Sequence, residues 1–331
     1  MVLESIISGL LNKYLSKYIK NLDGKNLELG IFNSSLELTD LQLKPEALAE
    51  LNLPIEITAG HIGRIYVDFS WTGLFSEPVV VNVEDVLVLV SPLADRPYDE
   101  EKARDLANAF KQQKLSSLEK PKKSSSSDSD SGDHDMSFTE KLTAAIINNI
   151  QVNVSNVHIR YEDCSTYPGR PFAFGVALHR LSALTTDEEW EPAQMDATAT
   201  IMRKLMEAIG FSAYWNTSVS DPVSRYVASG EWREILRSSI LGHEVKGQPF
   251  DFVVEPVTTT ARLTFDKSDQ LDYSKPQVVL DILTSALSIS FSRQQFLAAI
   301  DLQRSLQLMA VNERYRKYRP SVGVKGNARR W

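Results

Sequence analysis

PVVVNVEDVLVLV, Pro78 to Val90, is the stretch whose reading decides the fold. Almost no turn former interrupts it, and alternate positions divide it into two rows. Val79, Val81, Val83, Leu87 and Leu89 make one row, broken only at Asp85, and Val80, Asn82, Glu84, Val86 and Val88 make the other. At ~3.3 Å per residue such a strand reaches roughly 40 Å, beyond the usual five or six residues. A lone carboxylate on the apolar row belongs at a rim or at a register shift. If Val83 and Leu87 share a face that Asp85 does not, the strand must bulge there.

The same long, one-sided pattern recurs on either side. Upstream, Leu27, Leu29 and Ile31 alternate, Leu36 and Leu38 follow an Asn-Ser-Ser turn, and the phase shifts at Thr39-Asp40 to Leu41 and Leu43, which predicts a bulge. Ile55, Ile57, Ile65, Val67, Phe69 and Trp71 share one side of a strand in which Gly60 and Gly63 mark a bend. Downstream, Val152 and Val154 shift to Val157, Ile159 and Tyr161, opposite Gln151, Asn153, His158 and Arg160; Phe172, Phe174, Val176 and Leu178 form the next strand. Two more close the sheet: Val257, Thr259, Ala261, Leu263 and Phe265, then Val278, Leu280 and Ile282, shifting to Leu287, Ile289 and Phe291.

Helices are expected at fewer places. From Val2 to Ile19 apolar residues come in pairs, Val2/Leu3, Ile6/Ile7 and Leu10/Leu11 among them, which predicts a wide amphipathic stripe. That stripe suits packing on the domain or contact with a membrane, and both hold if the helix caps one end of the sheet. Pro45 to Leu51 reads as a short helix, and Leu106 and Phe110 have helical spacing. The capping pairs Ser137/Glu140 and Ser292/Gln295 open helices running to Asn149 and toward Tyr318. Ile201 to Ile209 reads as a short helix, Phe211 to Trp215 as a strand and Pro222 to Leu241 as helical.

Residues 119–137 are lysine, serine and aspartate without apolar period, the pattern of a disordered loop. The expected division is 1–118, the loop 119–137, a continuation of the same sheet over 138–319, and a basic tail over 320–331. From Arg314 to Trp331 there are seven basic residues and no acidic one, and the expectation is a fragment whose own longer chain continues beyond it.

Several function classes are excluded by composition. The net charge of −7 argues against a general nucleic-acid binder. One cysteine, Cys164, leaves no internal disulfide framework and fits a reducing compartment. No run of ~18 apolar residues offers a membrane span. The five histidines, His61, His134, His158, His179 and His243, show no HExxH or Cys/His metal spacing, and neither a GxSxG elbow nor a phosphate-binding glycine loop is present. No catalytic residue, metal or cofactor is therefore assigned.

About eight strands at ~4.8 Å spacing, each roughly 40 Å long, give an apolar face on the order of 1,000 Å² or more. Monomers rarely expose patches beyond a few hundred Å². Its cover is the chain's own helices, a second sheet, a protein partner or lipid. The polar faces look solvated, as in an antiparallel sheet wet on one side. A lipid cover is physically attractive, because at ~0.8 kcal/mol per buried CH₂ a chain of about sixteen carbons gains roughly 13 kcal/mol before ordering costs.

The residues themselves carry a resemblance. MVLESIISGLLNKYLSKYIKNLD, LKPEALAELNLPIEITAGHIGRI and SEPVVVNVEDVLVLVSP, with NVHIRYED, TTDEEW and YRKYRP following in order, resemble the N-terminal chorein region of the vacuolar protein sorting thirteen family. The resemblance implies an α+β fold whose long, strongly curved antiparallel sheet forms a scoop or half-tube with an apolar concave face, with amphipathic helices at the N-terminal end and along the rim. It also implies glycerophospholipids as ligands, a membrane surface on the endoplasmic reticulum side as partner, and a cytoplasmic, peripheral place at organelle contact sites. The protein would be the entrance of a conduit for non-vesicular lipid transfer, lined by the apolar rows above. The competing reading is an interaction scaffold whose face is filled by its own helices or a protein partner. Phe32-Asn-Ser-Ser and Phe69-Ser-Trp71 depart from the family's usual tryptophan-bearing turn and Ile-Pro-Trp.

Overall fold

The valine-rich stretch is a strand inside a large mixed sheet. The computed structural model describes residues 15–20, 31–32, 35–45, 47–48, 53–70, 77–93, 104, 108, 111, 138–164, 166, 169–196, 198–268, 274–284, 286–318, 320, 322 and 325–330. In chain order the strands are β1 (Ile31–Phe32), β2 (Ser35–Gln42), β3 (Ile55–Asp68), β4 (Val80–Pro92), β5 (Gln151–Asp163), β6 (Phe172–Thr185), β7 (Ile201–Asn216), β8 (Glu244–Val245), β9 (Gln248–Pro249), β10 (Phe252–Asp266) and β11 (Val278–Thr284). The helices are α1 (Phe138–Asn149), α2 (Trp232–Gly242) and α3 (Arg293–Tyr315), with a 3-10 turn at Val223–Tyr226. Among the described residues the sheet is nine-stranded in the order β1-β2-β3-β4-β5-β6-β7-β10-β11, and it is not closed. β8 and β9 form a separate hairpin.

Two expectations about the strands need correction. The sheet is not wholly antiparallel, because β4 and β5 pair in parallel. A parallel pair needs a crossover; α1 lies in this one, and it returns the chain to the end where β4 begins, with Gln151 N–H donating to the Val79 carbonyl at 2.9 Å. Ile201 to Ile209 is not a helix but the first part of the sixteen-residue strand β7. Ile201/Met202, Leu205/Met206 and Ala208/Ile209 imitate helical spacing because β7 is an interior strand with apolar residues on both sides.

The break at Asp85 is backbone conformation, and it belongs to a row. Asp40, Asp85 and Asn156 have φ of 53°, 59° and 55°, and Gly210 has 68°. The ladders skip one level on each pair: Thr39↔Arg64 is followed by Leu41↔Ile62, Arg64↔Glu84 by Ile62↔Val86, Glu84↔Ser155 by Val86↔Val157, and Ser155↔Arg180 by Val157↔Leu178. The skipped residues are Asp40, Gly63, Asp85, Asn156 and His179, and the β6–β7 register brings Gly210 beside them. Aspartate, asparagine and glycine tolerate the left-handed region best. Gly63 also eases a close approach, since a Cβ there would lie a tight 3.0 Å from that of Asp85.

Crossing this row reverses which residues face which side. On β4, Val79, Val81 and Val83 pack with Leu36, Leu38 and Ile65, yet beyond Asp85 it is Val86, Val88 and Val90 that stay on that face. Leu87 and Leu89 turn to the other face, beneath Trp232, Leu236 and Ile240 of α2. Leu38/Leu41, Ile62/Ile65 and Val154/Val157 repeat the same spacing of three.

The helices lie on both faces rather than only at an end and rim. α2 covers the face of Leu87 and Leu89, while Leu302 and Leu306 of α3 close over Ile57, Val88, Val90, Tyr161 and Phe172 on the other. Ile19 and Ile146 close the β2–β4 end of that second face. The capping box of α3 forms as its sequence predicts: Ser292 N–H donates to Gln295 Oε1 at 2.8 Å and Gln295 N–H to Ser292 Oγ at 3.1 Å. Gln295 Nε2 then reaches the carbonyls of Trp215 and Asp251, both at 3.1 Å, fastening the helix start to the sheet.

Candidate functional site

The face opposite α2 is the candidate site, because its middle is uncovered. Register places Ile159 beside Val176, Val176 beside Ala213, and Phe211 beside Val257. Side chains on interior strands are normally buried by a second layer, but Ile159, Val176 and Phe211 remain 43%, 37% and 36% exposed. Toward the β11 edge, where Leu263 pairs with Leu280 and Ala261 with Ile282, exposure rises to 52% at Leu280 and 61% at Ile282. Leu287, Ile289 and Phe291 continue it as exposed residues, Ile289 bridging to Val254. At the α3 end, Tyr161, Phe174 and Trp215 stack across three strands with ring centroids 4.7 Å apart at each step.

One cation stands at the other end of this face. Lys204 Nζ donates to the carbonyls of Asn148 and Ile150 at 3.0 and 2.7 Å and to Thr185 Oγ1 at 2.6 Å. Burial, then the neighbouring Lys267, pulls its pKa down to about 8. The carbonyls are those left over at the C-terminus of α1, where a cation is favoured.

The sequence-assigned residues divide as follows. Leu36, Leu38, Ile65, Val67, Phe69 and Val79 are buried in the cluster closed by Ile19 and Ile146, with Leu41, Leu43, Val81 and Val83 against it. Ile57 and Phe172 are buried near Leu302, with Ile55 and Phe174 alongside. Val152, Val154, Val157, Leu178 and Phe265 fall on this face by register. Leu87 and Leu89 do not, because the left-handed turn at Asp85 sends them under α2. Ile31 lies in β1 opposite Leu36. Leu27, Leu29, Val2, Leu3, Ile6, Ile7, Leu10, Leu11 and the loop 119–137 lie outside the described residues. Val86, Val88, Val90, Leu181, Met206, Phe211 and Trp215 were missed; the repeated spacing of three, as in Val83/Val86 and Leu178/Leu181, was the signal that finds several of them.

The other face is not simply solvated, which corrects the reading of its polar residues. His158, Arg160 and Glu162, alternate residues of NVHIRYED, are buried beneath α2. His158 Nε2 lies 2.8 Å from the Tyr214 hydroxyl, and Nδ1 lies 2.8 Å from Ser239 Oγ and 3.0 Å from the Leu236 carbonyl. Burial pushes the His158 pKa down to about 4, so the ring is neutral near pH 7; Nδ1–H donates to α2 and Nε2 accepts from Tyr214. Arg160 Nη1 donates to the same hydroxyl at 3.0 Å and Nε to Glu162 at 2.8 Å. The Glu162 carboxylate also accepts the Val223 and Ser224 N–H groups, each at 2.9 Å, at the start of the 3-10 turn. Every member is occupied in holding one element to another, which makes the network a fastening for α2 and the turn before it. Gly175 leaves room for it, since a Cβ there would lie 2.6 Å from the Tyr214 oxygen.

Among the described residues no three acidic, histidine or cysteine side chains gather in metal-binding geometry, and no helix is long and apolar enough to cross a membrane. The sequence profile of the VPS13-like family N-terminal region matches residues 2–331. The chain belongs to the VPS13-like family. Among its VPS13 relatives, the intermembrane lipid transfer protein VPS13A of Mus musculus is 33% identical over the whole chain, and VPS13C of Homo sapiens is 31% identical. The VPS13 of Chaetomium thermophilum, also named an intermembrane lipid transfer protein, is 30% identical. The chain spans about 10% of the length of each of these VPS13 proteins.

Proposed function

We propose that the uncovered face binds the acyl chains of glycerophospholipids and serves as the entrance of a path for lipid transfer between membranes. The observation that carries this reading is the exposure of Ile159, Val176 and Phe211 on interior strands, continuous by register with Leu263, Leu280 and Ile282. No catalytic group is needed, since removal of acyl surface from water supplies the affinity. The names of the VPS13 relatives support a role in lipid transfer. The N-terminal stripe of Val2, Leu3, Ile6, Ile7, Leu10 and Leu11 is the proposed contact with the donor membrane, on the endoplasmic reticulum side, and the protein acts peripherally at organelle contacts.

The test is direct. Lipids extracted from natively purified protein should be phospholipids by mass spectrometry, and Val176→Asp with Leu280→Asp should lower the amount bound per chain while the fold is kept. Protein that carries no phospholipid and takes up no fluorescent lipid on a native gel would refute the reading. A scaffold reading has one observation in its favour, the closure of both ends of the face by Ile19, Ile146 and Leu302. It requires a protein segment, in place of lipid, to protect Ile159 and Val176 from solvent.

A further inference from the structure

Six strands break their alternation at one level, and α2 lies across it. Arg233 and Arg237, one turn apart on α2, meet Asp40 at 2.8 Å and Asp85 at 3.3 Å. Those aspartates stand on β2 and β4, separated by β3, so the two arginines span roughly 10 Å across two strand spacings. The row is tied further along by Asn156 Nδ2, which donates to Asp85 Oδ1 at 2.8 Å, and β5 holds the same helix through His158 and the Leu236 carbonyl. Register is kept across the row, Thr39↔Arg64 and Leu41↔Ile62 lying on either side of it, so no residue is inserted as in a bulge; the positive φ itself departs from the extended geometry of a strand at that level. One such site bends a strand; a row of them across adjacent strands is a line along which the whole sheet bends.

We propose that this row is a crease in the sheet and that α2 is a brace over it, latched by Arg233–Asp40 and Arg237–Asp85, which limits how far the opposite face spreads and so how much acyl chain it holds. The second half of that statement rests on the phospholipid reading; the first does not. Latching falls on a pair of partly exposed ion pairs because the rest of α2 is already seated on Leu87 and Leu89. Exposed pairs are individually weak, and together they tune rather than hold the fold.

The experiment replaces Asp40 and Asp85 with asparagine, which removes both charges while keeping a residue that tolerates positive φ and an oxygen for Asn156. Arg233→Gln with Arg237→Gln is the reciprocal pair. Hydrogen–deuterium exchange in residues 60–66, 83–88 and 154–159 should rise about fivefold in both, with β10 unchanged, and wild-type protein in high salt should move the same way. Phospholipid bound per chain should rise in both variants, and a fall would overturn the brace as a limit on capacity. Unchanged exchange along the row, in the variants and in salt, would overturn the brace. Raised exchange with an unchanged lipid load would overturn its control of capacity. Wild-type protein without lipid would sink the phospholipid reading and leave the exchange result to decide the brace.

Discussion

Replacing Asp85 by valine and by glycine separates the left-handed reading from an ordinary strand, because the two predict opposite orders of stability. At φ of 59° a side chain with a branched Cβ is strained, and an L-residue there costs about 1–2 kcal/mol. Both variants lose the 2.8 Å hydrogen bond from Asn156, worth about 1 kcal/mol. The Arg237 pair contributes little more, since that arginine is largely exposed. Asp85→Gly should therefore lose about 1 kcal/mol and Asp85→Val about 2–3 kcal/mol, with Asp85→Asn close to wild type. In a regular strand valine is favoured over glycine by up to ~1 kcal/mol. Urea unfolding followed by tryptophan fluorescence, with equal m-values across the set, reads the difference as shifts of midpoint. A valine variant as stable as the glycine variant, or more so, would refute the left-handed turn and with it the reversal that sends Leu87 under α2.

His158 should make stability depend on acid. Its folded pKa of about 4 lies below the unfolded 6.5, so the unfolded chain binds the proton first. Stability is full above pH ~6.5 and falls as pH drops toward 4, by roughly 3 kcal/mol, a slope that His158→Gln should remove in pH-dependent denaturation. Glu162→Gln leaves Arg160 buried without its counter-charge and should cost about 3–5 kcal/mol, seen as a large fall in melting temperature. Leu302→Ala should cost about 2–3 kcal/mol and Leu280→Ala less than ~0.5 kcal/mol in lipid-free protein; equal losses in thermal melts would mean that the face is covered throughout.

Much of the strand pattern was legible, because exposed turns and alternating residues leave a local signature. Val79, Val81 and Val83, the shift from Leu38 to Leu41, and that from Val154 to Val157 all read correctly, as did the Ser292/Gln295 cap. What failed was whatever depended on neighbours. Val86 and Leu87 are equally apolar, so period alone continued the wrong row past Asp85. Ile201 to Ile209 looked helical because an interior strand carries apolar residues on both sides, which blurs a period of two. The burial of His158, Arg160 and Glu162 had no local sign at all, since a polar row reads as solvated until α2 is seen to lie on it.

The amino-acid sequence by itself determined that long strands with one apolar row would form, that the rows would break at Asp85, at Thr39-Asp40 and between Val154 and Val157, and that the chain is of the VPS13-like family. Only the tertiary structure decided that those breaks share one level across six strands, that β4 and β5 run parallel, and which face α2 takes. The physical reason is that alternation is set within a strand by its own backbone, whereas the alignment of one strand's break with the next is set by hydrogen-bond register between segments far apart in the chain.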